Sequence, residues 1–88
     1  MNWNEIRISI INDLNSRGLA NPNIRINALE RLEVIMKSHF KEILDDPSKL
    51  KKIDKDDFKE RLAKFKTNGN LNGAESSVVN EIYYRIKR

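Results

Sequence analysis

The chain has 88 residues, 17 Lys and Arg against 13 Asp and Glu for a formal net charge of +4, a hydrophobic fraction of 39% and no cysteine. That length holds one core and excludes a second, and the missing thiols exclude disulfides and thiolate-bound zinc as reinforcement, so packing alone must stabilise it. The balance of apolar and charged residues is that of a globular domain, no run approaches the roughly 18 apolar residues of a membrane span, and the N-terminus lacks a basic stretch leading into an apolar one; a single cytoplasmic domain over residues 1–88 is expected.

Asn2-Trp3-Asn4-Glu5 has the spacing of a capping box, in which the Asn side chain takes the third helical amide and the Glu reaches back. Trp3, Ile6, Ile10 and Leu14 then share one face, and Gly18 suits the left-handed position after a helix end, with Leu19 closing it. A first helix is predicted over about 3–16. Ile6 to Ile10 also alternates with period two, as a strand would, but a lone strand needs a pairing partner and no other segment offers one.

Asn21-Pro22 reads as a helix start, with Asn at the cap and proline at the first helical position, where a missing N–H costs nothing. Leu29, Leu32, Met36, Phe40 and Ile43 recur at steps of three and four, and Ile24, Ala28, Ile35 and His39 form an adjoining stripe. This predicts the longest helix, about 22–44, as the spine of the fold. Asp46 before Pro47 caps a short helical turn near 47–52, and Asp54 caps a third helix at about 55–66 with Phe58, Leu62 and Phe65 inward. Two Asn-Gly pairs mark Thr67 to Gly73 as a loop. Asn72 to Glu75 repeats the capping-box spacing, and Val78, Val79, Ile82 and Ile86 line a fourth helix over about 73–87. The expected architecture is all-α, a small bundle of four helices.

Catalytic and metal chemistry finds little support. His39, the one imidazole, lies at the edge of an apolar arc and is expected as a half-buried ring bonded by a neighbour. Asp45, Asp46, Asp54, Asp56 and Asp57 cluster in sequence, yet an EF-hand loop counted from Asp45 would need Gly and Glu where Leu50 and Asp56 stand. Gly18, Gly69 and Gly73 are too scattered for a phosphate loop. No enzyme activity, cofactor, metal or small-molecule substrate is expected.

Charge is unevenly spread. Residues 1–46 carry six Lys/Arg against seven Asp/Glu, and residues 47–88 eleven against six. On a helical projection Lys52, Lys55, Lys59 and Lys66 fall in one sector free of acids, where they either cover the core with their stems or face phosphates or an acidic protein surface. Tyr84 projects opposite the apolar face of the fourth helix beside Asn80, Lys87 and Arg88, a setting for a contact centre or a base-stacking platform. Ile8 and Ile11 stand off the main face of the first helix, either buried in the bundle or left for a second copy or a larger protein.

Two function classes follow. One is a small protein-binding module: an accessory, inhibitor or regulatory factor meeting a protein partner, or its own copy as a homodimer. The other is nucleic-acid binding through the backbone, using the lysine stripe and the basic end of the fourth helix. A helix-turn-helix reading is weakened by a loop longer than the usual 3–4 residues and by Glu75, Ser76, Ser77 and Asn80 where base-reading Arg or Lys would be expected. Eleven Asn, eleven Ile and ten Lys are the bias of AT-rich coding DNA and suggest a low-GC bacterium, phage or mobile element as source.

Overall fold

The computed structural model describes residues 2–87, and the chain is all-α over them, with no strand. Its elements are α1 (Trp3–Ser16), α2 (Asn23–His39), α3 (Lys41–Asp45), a 3₁₀ helix (Pro47–Lys52), α4 (Lys55–Ala63) and α5 (Gly73–Lys87). The Asn2 side-chain oxygen accepts from the Glu5 amide at 2.9 Å and starts α1. Ile6 and Ile10, one helical turn apart, are both buried while Ile8 points outward, so the period-two pattern is carried by a helix. Gly18 takes φ +69°, a left-handed conformation that costs other residues about 1–2 kcal/mol, and Leu19 folds back onto the core as expected.

The second predicted helix is broken. A continuous helix over 22–44 would run about 34 Å, against principal-axis extents of 32 × 31 × 20 Å. The chain breaks instead at Phe40, whose φ of −133° and ψ of 41° are not helical. Its amide still bonds the Met36 carbonyl at 2.7 Å, and its own carbonyl starts α3 by accepting from Ile43 and Leu44. The break keeps both Phe40 and Ile43 in the core. The start of α2 also differs: no side chain caps it, Pro22 has helical angles, and Asn21 does not take the capping role. Ile24, expected in the second apolar stripe, is exposed.

Asp46 and Asp54 cap as predicted. Asp46 accepts from the Ser48 amide and hydroxyl at 3.2 and 2.5 Å, and Asp54 from the amides of Asp56 and Asp57 at 3.0 and 3.3 Å. The helix that Asp54 starts is shorter than predicted, because the Phe65 and Lys66 amides bond the carbonyls three residues back, at 3.1 Å each. This tightening winds the last turn past the α-helical angle and swings Phe65 off the Phe58/Leu62 line. Phe65 is 45% exposed rather than inward. His39 is likewise exposed, not half-buried, and its ring stacks on Phe65 with centroids 3.6 Å apart.

The core gathers around α2 and α5, which make the most extensive contact in the fold. Leu29, Leu32 and Met36 of α2 meet Val78, Val79 and Ile82 of α5, all fully buried. α5 also touches α1, α4 and the 3₁₀ helix, so it shares the spine role that the sequence pattern assigns to the second helix alone. Its seat against α1 is polar. Arg85, only 6% exposed, donates to Ser9 Oγ at 2.9 Å, to Asp13 Oδ2 at 2.6 Å and to Glu81 Oε2 at 2.6 Å. Arg17 reaches the other Glu81 oxygen at 2.8 Å. Burial alone would raise the Glu81 carboxyl, but the two guanidinium groups outweigh it and hold it below the ordinary carboxylate value. Arg85 is therefore an internal clasp and not part of a basic end of α5.

Removing the buried Arg85 deletes its bonds to Ser9, Asp13 and Glu81, and bonds to charged groups are worth about 1.5–3 kcal/mol, whereas an exposed pair such as Arg17–Asp13 is worth about 0–1. Arg85→Ala is expected to lower unfolding free energy by about 3 kcal/mol in urea titration, and Arg17→Ala by under about 1. Equal losses from the two substitutions would contradict this assignment.

Candidate docking groove

The structure joins two surface patches that the sequence presents separately. The 3₁₀ helix delivers Lys51 and Lys52, the start of α4 delivers Lys55, and the last turn of α5 delivers Lys87, and all four line one cavity of about 520 Å³. A neighbouring cavity of about 410 Å³ is lined by Lys55, Asn80, Tyr84 and Lys87. Lys55, Lys87 and Tyr83 belong to both, so the two form a single groove.

Tyr83 holds its walls together. Its ring is buried and meets Phe58 edge-on at 6.0 Å between centroids, and its hydroxyl donates to the Ile53 carbonyl at 2.9 Å. That bond ties the end of the 3₁₀ helix to α5. Burial, reinforced by the Asp54 carboxylate, pushes the Tyr83 phenol up to about 12, so it remains a donor at neutral pH. Tyr84, the next residue, faces out and is 57% exposed. Adjacent helix positions stand about 100° apart, which gives Tyr83 to the core and Tyr84 to the surface, the outward side on which the helical projection places Tyr84.

Acids also border the groove. Asp54 is engaged in capping α4, Glu81 is held by Arg17 and Arg85, and Asp56 lies on the rim. The surface is thus net positive but mixed. Asp46, near the start of the 3₁₀ helix, is kept ionised below its ordinary value by the Ser48 hydroxyl. Among the described residues no group of three or more His, Cys, Asp or Glu is placed to hold a metal ion, and no helix is long and apolar enough to cross a membrane.

The remaining predicted contact residues do not converge here. Lys59 points to a different cavity, with Ala63, Asn70 and Leu71. Lys66 lies beyond the end of α4, is half-buried and pairs with Glu75, so the four-lysine stripe does not exist as one surface. Ile8 is 44% exposed and Ile11 packs partly against the core; neither lines the groove. Arg88 lies outside the described residues. Lys51 and Tyr83 are groove residues that sequence reasoning missed. Lys51 stands beside Lys52 in a segment whose 3₁₀ winding, not its composition, decides which lysines face the same way.

Comparison with protein-family models, with curated proteins and with solved structures finds no match. What the groove does must be argued from its own chemistry. Tyr83→Phe keeps the ring and removes the bond to Ile53, with an expected loss of about 1 kcal/mol in denaturant unfolding. It should also quicken hydrogen exchange in the 3₁₀ helix while leaving α1 unchanged. Unaltered exchange there would show that the hydroxyl does not hold the groove wall.

Proposed function

We propose that this chain is a small non-catalytic binding module that holds an acidic segment of a partner protein in the groove between the 3₁₀ helix and the end of α5. The observation that carries this reading is the convergence of Lys51, Lys52, Lys55 and Lys87 on one groove that continues to Tyr84 and Asn80. Lysines at a rim steer an acidic partner and suppress basic ones, and a large aromatic beside them supplies apolar contact area. Asp54 and Asp56 interrupt the positive surface. An acidic protein segment, whose charges can be spaced around those two acids, tolerates such interruption better than an evenly charged phosphate chain does.

A second reading, single-stranded nucleic acid, draws on one specific feature, the exposed Tyr84 ring in the same cavity as Lys55 and Lys87. Bases stack on such rings whatever their sequence. Salt dependence separates the two, because phosphate contacts release counterions and affinity falls by orders of magnitude for several contacts between 50 and 200 mM salt.

A fluorescent peptide rich in Glu and Asp with a central Leu, and oligo(dT), are titrated with the protein at both salt concentrations. The peptide is expected to bind more tightly than oligo(dT) at 200 mM salt, and Lys55→Glu with Lys87→Glu to weaken it by about tenfold or more without loss of helicity. Tighter oligo(dT) binding with a steep salt slope would replace the first reading by the second. Unchanged binding of both probes by the double variant would remove the groove from either.

A further inference from the structure

On another face, α2 and the turn after α4 enclose a groove of about 650 Å³ lined by Val34, Ile35, Phe65, Arg31, Lys66 and Glu75. Val34 is 64% exposed, and Phe65 is braced by His39 behind it. Large apolar side chains left in water side by side mark a contact site more often than isolated ones do.

Glu75, wholly buried, anchors the charged end of this groove. Its amide donates to Asn72 Oδ1 at 2.8 Å, and its Oε1 accepts from the Asn72 amide at 3.0 Å. Lys66 Nζ donates to the same oxygen. Glu75 Oε2 accepts no hydrogen bond, and Arg31 Nε stands 3.7 Å from it. Burial would raise this carboxyl, but the Asn72 amide and the two cations hold it below its ordinary value. Two cations on one carboxylate leave a net positive charge of one. The carboxylate is inside and the guanidinium outside, half-exposed, so an incoming ligand meets the cation first. Among the described residues Arg31 has Glu75 as its one ionic partner, which leaves its terminal nitrogens to grip a carboxylate in the planar fork geometry arginine favours.

An apolar wall beside a held cation, in a space within the roughly 300–1,000 Å³ of small-molecule sites, defines the ligand by chemistry. We propose that this groove binds a small organic acid, its carboxylate on Arg31 and its apolar chain along Val34, Ile35 and Phe65. The site shares no residue with the lysine groove and stands or falls independently of it.

Octanoate, octanol and octylamine, equal in chain length and different in charge, test the assignment by NMR titration of the labelled protein. Octanoate is expected to shift the amides of Arg31, Val34, Ile35, Phe65 and Thr67 and to bind about tenfold more tightly than octanol, the value of one charge-assisted bond pair. Arg31→Gln should reduce octanoate to the octanol level. Val34→Asp, at a position too exposed to unsettle the core, should abolish octanoate binding by placing like charge on the wall. Equal binding of octanol and octanoate, tighter binding of octylamine, or unchanged octanoate affinity in both variants would each overturn the proposal.

Discussion

The seating of α5 is the constraint on which the remainder of the structure depends. Every other element except α3 packs extensively against it, and its apolar face supplies Val78, Val79 and Ile82 without measurable exposure. Burial of this kind contributes about 1.5–3 kcal/mol per side chain but has no direction. Direction comes from three polar anchors along the helix. Glu75 at its start holds Lys66 and faces Arg31 of α2, Tyr83 holds the Ile53 carbonyl, and Arg85 near its end holds Ser9 and Asp13 of α1. Rotating α5 by one residue, about 100°, would carry Glu75 and Arg85 away from these partners and turn Val79 and Ile82 off the core-facing side, losing the ion pairs and the apolar burial together. Hydrophobic contact therefore sets the stability, and the polar anchors select one orientation.

That orientation assembles both candidate surfaces. The lysine groove exists because Tyr83 binds the 3₁₀ helix to the last turns of α5, bringing Lys51, Lys52 and Lys55 to Lys87. The apolar groove forms where the tightened turn after α4 sets Phe65 beside Val34 and Ile35, with Lys66 held to Glu75 at its charged end. In each case a side chain of α5 that is itself buried positions exposed groups from other elements. Surface chemistry here is a consequence of internal polar bonding, not of the composition of any one helix.

Much of the fold was legible in the sequence, and the parts that were not share a cause. Caps at Asn2, Asp46, Asp54 and Asn72, the left-handed Gly18, and the outward position of Tyr84 are local properties, set by residues within about one helical turn. The break at Phe40 is not local: Met36, Phe40 and Ile43 keep helical spacing, and no proline or glycine at 37–41 marks an interruption. Phe65 and Lys66 were projected on an α-helix that tightens into a 3₁₀ turn before reaching them. Arg85 stands three residues after Ile82 and seven after Val78, on the buried stripe. Glu75 extends the same stripe backward, four residues before Val79. Charged residues on an apolar face were the available signal of internal ion pairs. Two of their partners, Asp13 and Arg31, lie too far away in sequence for the pairing to be read, whereas Glu81 stands four residues before Arg85 on the same helix.

If α5 frames the molecule, its amides must open only when everything else does. Native-state hydrogen exchange across a urea series measures this directly, because it gives each amide the free energy of the opening that exposes it. The amides of Val79, Ile82 and Tyr83 are expected to exchange at the global unfolding free energy, together with those of Leu32 and Met36 in α2. Exchange of α5 as a separate unit, several kcal/mol below the value for α2, would contradict the account.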